Sequence, residues 1–292
     1  MKIIVQYSGG KDSQASLLWA VEKYGAKNIT AQFSDTKWES SITYEHLKST
    51  CLDLGVKLIE LTSKKYPKGM VELAEKKRRF PASKSRYCTS ELKVIPFIDW
   101  LLDEVKDNVI IIQGIRKDES MARSKMEADC RLFKYYLVPY GFDKNGNPKT
   151  HTYRKKDVLE FVKKYDDSIF RPFFNNTGQE VVDFIYSKGQ EPNELYKMGL
   201  SRVGCFPCIM AQHNEVKQIL NRFPERINEI EKIEKDLNTT FFTSGKIPTH
   251  ACSNGKFPNI REVVNYIEDK NATLDVFEQE PTSCMSYYNQ CE

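Results

Sequence analysis

Lys2-Ile-Ile-Val-Gln-Tyr-Ser-Gly-Gly-Lys-Asp-Ser-Gln-Ala-Ser-Leu-Leu18 is the stretch that decides the fold. Ile3-Ile-Val5 is a short apolar run, as in a buried parallel strand. A glycine loop follows, and from Ser13 to Tyr24 the residues Leu17, Leu18, Val21 and Tyr24 recur at helical spacing. Strand, loop and helix in immediate succession make an anion cradle. Gly9 and Gly10 permit close approach and positive φ. The helix start aims N–H groups at the loop. Lys11 adds a full charge, and Ser8 and Ser13 add hydroxyls. Phosphate fills such a cradle best, with Ser8, Gly9, Gly10, Lys11, Asp12 and Ser13 as the contact residues. The spacing is neither that of a Walker A loop nor that of the three-glycine dinucleotide fingerprint. An ordinary tight turn is the competing reading.

Outward from this stretch the pattern alternates. Ile29–Ser34 and Val56–Leu61 read as strands, with Glu39–Leu54 a helix between them. Helical patterns cover Gly69 to about Arg79 and Ser90–Val105, and Asn108–Gln113 is a strongly apolar strand. Tyr135–Pro139 reads as a further strand. The expected fold class is α/β, a doubly wound parallel sheet. Residues 1–170 form the expected nucleotide-binding domain. Residues 171–292 form a helical and loop-rich C-terminal region carrying cysteines, with helices over Lys155–Tyr165, Gly178–Tyr186 and Asn214–Leu237, the last interrupted near Pro224. Ligands of such sheets sit beyond the carboxyl ends of the strands. That rule selects three loops: Ser8–Ser13, Asp35-Thr-Lys-Trp-Glu39, and Gly114-Ile-Arg-Lys-Asp-Glu-Ser-Met-Ala-Arg123. Asp35 can accept hydrogen bonds from a ribose or base. Arg116 and Arg123 can pair with phosphate or sulfate oxygens, and Glu119 can hold an arginine or a metal-bound water.

The 292 residues carry a net charge of +4. Lys64–Lys93 alone has ten Lys/Arg against three Asp/Glu, so this stretch exceeds the whole positive balance. It reads as a contact for nucleotide phosphates, DNA or RNA, or else as a solvated helix face. No apolar run approaches a membrane span. The N-terminus reads straight into a strand and leaves no room for a signal peptide. The eight cysteines then fit a reduced, cytoplasmic compartment. Cys205-Phe-Pro-Cys208 together with Cys284 and Cys291 makes a candidate four-sulfur metal site, a 4Fe–4S cluster first and Zn²⁺ second. Cys88 or Cys252 could replace one ligand, and a redox dithiol or plain buried thiols are the other reading. Cys51 falls on an apolar helical pattern and reads as core.

The hexapeptide Ser8–Ser13 resembles the signature loop of the PP-loop ATP pyrophosphatases, a Rossmann-like group. Asp35-Thr36, the Gly114-Ile-Arg116 loop through Glu119 and Arg123, Cys88-Thr-Ser-Glu-Leu-Lys93, and Leu195-Tyr-Lys-Met-Gly-Leu-Ser-Arg-Val-Gly-Cys205 are similar to successive motifs of the phosphoadenylyl-sulfate (PAPS) reductase family. The resemblance covers roughly residues 1–210. It implies ATP or PAPS as substrate, Mg²⁺ as companion ion, Asp35, Thr36 and Gly114 at the nucleotide, and Lys11, Arg116, Glu119 and Arg123 in catalysis. The C-terminal catalytic-cysteine motif of the reductases is absent from this sequence, and their paired cysteines are reduced to Tyr87-Cys88. In style the chain looks like the DNA phosphorothioation branch, which implies an ATP pyrophosphatase of nucleic-acid sulfur modification, with a cysteine desulfurase as a candidate partner. A thioredoxin-dependent sulfonucleotide reductase and a non-catalytic nucleotide-binding module are the alternatives.

Overall fold

A computed structural model describes residues 1–83 and 85–274. The strands are β1 (Lys2–Gln6), β2 (Ile29–Ser34), β3 (Lys57–Leu61), β4 (Val109–Gln113), β5 (Asp129–Arg131), β6 (Gly141–Phe142), β7 (Pro148–Lys149) and β8 (Asp167–Phe170). Six of them form one sheet in the order β3-β2-β1-β4-β8-β5, and β6 and β7 pair as a separate hairpin. Every pairing in the large sheet is parallel except that of β5 with β8. The fold is thus the expected doubly wound α/β type. Among the described residues no helix is long and apolar enough to cross a membrane.

The chain divides into two compact units. The first comprises residues 1–34, 44–61 and 94–192, and contains the whole sheet. Alternate side chains of a strand point to opposite faces, and here both faces are covered. Ile3, Val5 and Ile112 pack with Leu17 and Ala20 of helix α1 (Lys11–Tyr24) and with Leu47 and Cys51 of helix α2 (Ser41–Leu54). Ile4, Val109 and Ile111 pack instead with Phe97, Leu101 and Phe161. Burial on both sides explains why β1 and β4 are nearly continuous runs of β-branched residues. Cys51 is core, as its helical position predicted.

The second unit comprises residues 35–43, 62–93 and 193–292. Its core gathers Trp38, Leu73, Leu195, Ile230, Phe241 and Val263. Helices His213–Arg222 and Pro224–Leu237 are separated at Phe223, as Pro224 requires. Ile260–Leu274, in a stretch that reads as turn-rich, is helical because Ile260, Val263, Val264 and Ile267 make one buried stripe.

One sequence expectation in the first unit needs correction, and one strand goes unannounced. Tyr135–Pro139 is not a strand, since Lys134–Leu137 is a short helix. Phe133 and Tyr136, three residues apart, turn inward to 2% and 5% exposure, which is the spacing of a helical turn. Asp167–Phe170 is a sheet strand that its sequence did not announce. Its first residue is a buried acid, held by Arg131 Nε at 3.0 Å and the Phe133 amide at 2.8 Å.

Candidate functional site

β1 hydrogen-bonds β2 on one side and β4 on the other. The loop after β1 therefore lies at the topological switch point, where crevices form in open α/β sheets. The carboxyl ends of the two central strands are tied together, with Gln113 Nε2 donating to Gln6 Oε1 at 2.8 Å. Gln113 Oε1 is buried without a hydrogen-bond partner.

The loop is shaped by one glycine in the left-handed region. Gly9 has φ 77°, and Gly10 returns to extended backbone as the residue before the helix. α1 begins at Lys11, two residues earlier than its apolar spacing predicted. Its first helical bond runs from the Gln14 amide to the Gly10 carbonyl. The amides of Lys11, Asp12 and Ser13 precede that bond, and the residue before the helix, Gly10, supplies no side-chain cap. Ser13 Oγ donates to the Gly10 carbonyl at 2.8 Å and accepts from the Ser8 amide at 3.1 Å, so the loop is closed on itself. Lys11 is 7% exposed, a buried cation at the positive end of a helix. Asp12 Oδ2 stands 3.8 Å from its Nζ.

The loop after β4 meets this structure directly. A Cβ on Gly114 would lie 2.3 Å from the Ser13 amide nitrogen, so only glycine fits there. Arg116, 5% exposed, donates from Nε to Asp12 Oδ1 and pairs with Asp118 at 2.5 Å. Burial disfavours its charge, but the carboxylates of Asp12, Asp118 and Glu119 outweigh that and hold the guanidinium firmly protonated. Glu119 Oε2 accepts from the Arg116 amide at 3.1 Å and pairs with Arg123. The structure thus brings Lys11, Asp12, Ser13, Gly114, Arg116, Glu119 and Arg123 into one connected assembly. Arg116 is anchored to the loop rather than standing open. That anchor, Asp12, was expected only as a nucleotide contact.

Asp35 and Thr36 follow β2 immediately and open the second unit. Asp35 is 2% exposed, and its carboxylate accepts from the Lys37 amide at 2.8 Å and pairs with Lys37 Nζ at 2.5 Å. Thr36 donates from Oγ1 to Glu39 at 2.7 Å. Its carbonyl accepts from the Met70 amide and would sit 2.0 Å from a Cβ on Gly69, a second site that only glycine fits.

Glu39 bridges to Cys205 through the backbone, and Thr36 Oγ1 lies 3.8 Å from Cys205 Sγ. Burial pushes the Cys205 thiol up to about 11, and half-buried Lys93 pulls against it. Cys205 raises Lys93 in turn, with Glu39, Cys88 and Cys208 adding to it. The sequence offers Lys93 only as part of the Cys88–Lys93 motif, and its electrostatic coupling to Cys205, Cys88 and Cys208 comes from the structure. Cys252 is buried elsewhere in this unit, donating to the Pro248 carbonyl at 3.5 Å. Cys284 and Cys291 lie outside the described residues. Among the described residues no three His, Cys, Asp or Glu side chains form a group that could hold a metal ion. Cys205 and Cys208 alone therefore do not complete a site for a cluster or for zinc.

A doubly wound sheet with a closed glycine loop at its switch point defines a Rossmann-like nucleotide-binding protein. The chain belongs to the phosphoadenosine phosphosulfate reductase domain family, whose model matches residues 2–130 and 147–211. An uncharacterized 37.8 kDa protein of Escherichia phage 186 is 30% identical, over 85% of this chain and 81% of that protein. Two uncharacterized proteins of Methanocaldococcus jannaschii, MJ0066 and MJ0973, are 25% and 26% identical over 80% and 78% of this chain. The chain spans 42% and 46% of their lengths. Among solved structures, the PAPS reductase of Candida auris in a phosphate complex is 14% identical with a TM-score of 0.44, covering 70% of this chain and 82% of that one. The FMN adenylyltransferase of Candida glabrata with FAD and inorganic pyrophosphate is 18% identical with a TM-score of 0.42, covering 70% and 55%.

Proposed function

We propose that the chain binds ATP or a related adenine nucleotide at Ser8–Ser13 and cleaves it between the α- and β-phosphates, as an ATP pyrophosphatase serving nucleic-acid sulfur modification. The observation that carries this reading is the buried Lys11 at the uncapped start of α1, beside Gly9 and Gly10 and braced by Arg116 through Asp12. An oxygen of the acceptor attacks the α-phosphorus. The bond from that phosphorus to the bridging oxygen breaks, and its electron pair leaves with pyrophosphate. With water as acceptor the products are AMP and pyrophosphate.

Lys11 and the amides of Lys11–Ser13 neutralise the leaving pyrophosphate. Arg116 and Arg123 stabilise charge developing at the α-phosphate, and Glu119 orients Arg123. A Mg²⁺ ion belongs to the same reading: Glu119 would hold its bound water, and the ion would supply charge neutralisation at the phosphates. Asp35 and Thr36, directly after β2, contact the nucleoside. The basic stretch Lys64–Lys93 meets the nucleic-acid acceptor, and a cysteine desulfurase or thioredoxin is the candidate source of sulfur or reducing equivalents.

A four-sulfur site of Cys205, Cys208, Cys284 and Cys291 stays within the proposal, and no step above passes through it. When bound, a 4Fe–4S cluster supplies electron-transfer or sulfur-handling chemistry, whereas zinc supplies a structural clamp. Metal analysis after anaerobic purification tests this part. Iron near four per chain is expected, and zinc without iron contradicts the cluster. Calorimetric titration with ATP tests the loop. Lys11→Ala is expected to weaken binding at least about tenfold, and unchanged affinity contradicts the reading.

A further inference from the structure

The family match leaves out residues 131–146, the beginning of a segment of unusual composition. From Arg131 to Lys156 there are seven Lys/Arg and one Asp. Six aromatic residues alternate with these charges, and the hydrophobic ones do not all turn inward. Phe133 and Tyr136 anchor the segment in the first unit's core, while Tyr135, Tyr140 and Phe142 are 44%, 53% and 67% exposed. Exposed rings held on a rigid support, and not merely loose, need an explanation.

The support is visible. The His151 amide donates to the Tyr135 carbonyl at 2.9 Å, and the Tyr140 amide to the Lys149 carbonyl at 3.0 Å. Asp143 Oδ1 accepts from the amides of Asn145 and Asn147 at 2.8 Å each, which fixes the β6–β7 turn. Exposed His151 gathers the rings, with centroids 5.2 Å from Tyr140 and 6.1 Å from Tyr135. Three of the seven cations are engaged by acids: Arg131 by Asp167, Lys134 by Glu127, and Arg154 by Asp99, Asp103 and Asp157. Lys144, Lys149 and Lys156 are exposed, the first two on the β6–β7 hairpin that carries Phe142.

We infer that this surface binds a single-stranded nucleic acid, with bases stacking on Tyr135, Tyr140 and Phe142 and phosphates meeting Lys144, Lys149 and Lys156. Flat rings at the surface suit unpaired bases, which offer a π-face that duplex bases keep within the stack. Lysines beside them supply the sequence-independent phosphate term. Leu137 and Val138 are exposed here as well, but the exposed lysines Lys144, Lys149 and Lys156 give the segment a positive charge that a polyanion complements and an apolar protein face does not. This partner fits the proposed nucleic-acid role but does not depend on nucleotide cleavage, and binding is measured without ATP.

The test uses the full chain and fluorescence anisotropy with a labelled oligothymidylate of about 20 nucleotides, at low and moderate salt. Replacing Tyr135, Tyr140 and Phe142 together by Leu keeps them apolar and removes the π-faces. This variant is expected to bind at least about tenfold more weakly, the equivalent of roughly one stacked base. Lys144→Ala, Lys149→Ala and Lys156→Ala together, on the exposed hairpin and helix start, are expected to weaken binding and flatten its salt dependence. A duplex of the same length is expected to bind less tightly and to ignore the Leu replacements. Unchanged oligothymidylate binding by a folded Leu variant overturns the inference. So does a loss confined to the Lys variant, which would mean phosphate contact without stacking. If ATP cleavage is absent while these losses occur, the proposed reaction fails and this surface stands.

Discussion

Gly114 lies against Ser13 so closely that a Cβ would be 2.3 Å from the Ser13 amide nitrogen. The loop after β4 thereby sets the position of the first turn of α1. Gly114→Ala must push the two loops apart. We expect a loss of about 1–3 kcal/mol in urea unfolding and a greater than tenfold loss of ATP affinity. Gly141→Ala is the control, because nothing lies within 4 Å of its Cβ position. Equal behaviour of the two variants would show that the close approach has no bearing on binding.

Arg116 and Asp12, 104 residues apart in sequence, form a largely buried ion pair. Removing one partner leaves the other desolvated, at a cost of ~3 kcal/mol. Arg116→Ala and Asp12→Ala should each show that loss. The double variant should be less destabilised than the sum of the two. Additive losses in denaturant titration would contradict a direct coupling.

The two units should respond to pH with opposite signs. In the first unit, burial holds His46 down to about 4, with Gln14 Oε1 3.2 Å away. The unfolded chain then binds the proton more readily, so stability falls as pH drops from 6.5 towards 4. In the second, burial pushes Glu234 up to about 7 although it accepts from the Phe241 and Ile260 amides. Here the folded state holds the proton more tightly, so stability is lost as pH rises from 4.5 through 7. Each effect is worth up to ~3 kcal/mol. Hydrogen exchange corrected for intrinsic rates, followed in β4 and in helix Ile260–Leu274 between pH 5 and 6.5, should show the two slopes. His46→Gln should flatten the first alone, and Glu234→Gln the second alone.

The basic run Lys76–Arg79 ends a helix that starts at Met70, and all four side chains are exposed. Lys77 stands 3.6 Å from Glu91, and Arg79 lies over Tyr87 at 5.7 Å. Two of the four cations are therefore partly engaged. Replacement of the run by Ala should lower the salt slope of nucleic-acid binding by about 1–3. An unchanged slope would make this run a solvated helix end.

How much was legible depended on whether the cause was local. The β1–loop–α1 unit could be read because an apolar run, two glycines and a helical stripe all lie within residues 3–24. β8 could not. It has four residues, begins with Asp167, and owes its state to pairing with β4 and β5. The anchoring of Arg116 by Asp12 was equally hidden, since sequence alone offers both residues to phosphate or to each other. Tyr135 reads as a strand residue and Tyr140 carries no signal of its own, because their neighbours Phe133 and Tyr136 supply the local burial. The four-cysteine reading stands half inside the described residues, at Cys205 and Cys208, and half outside them.

The most direct test of the central claim is identification of products. Purified protein is incubated with ATP and Mg²⁺, with and without single-stranded nucleic acid, and the nucleotides are separated by anion exchange. The account predicts AMP and pyrophosphate from the active protein and neither from Lys11→Ala. Intact ATP beside sulfite released from PAPS in the presence of thioredoxin would contradict it.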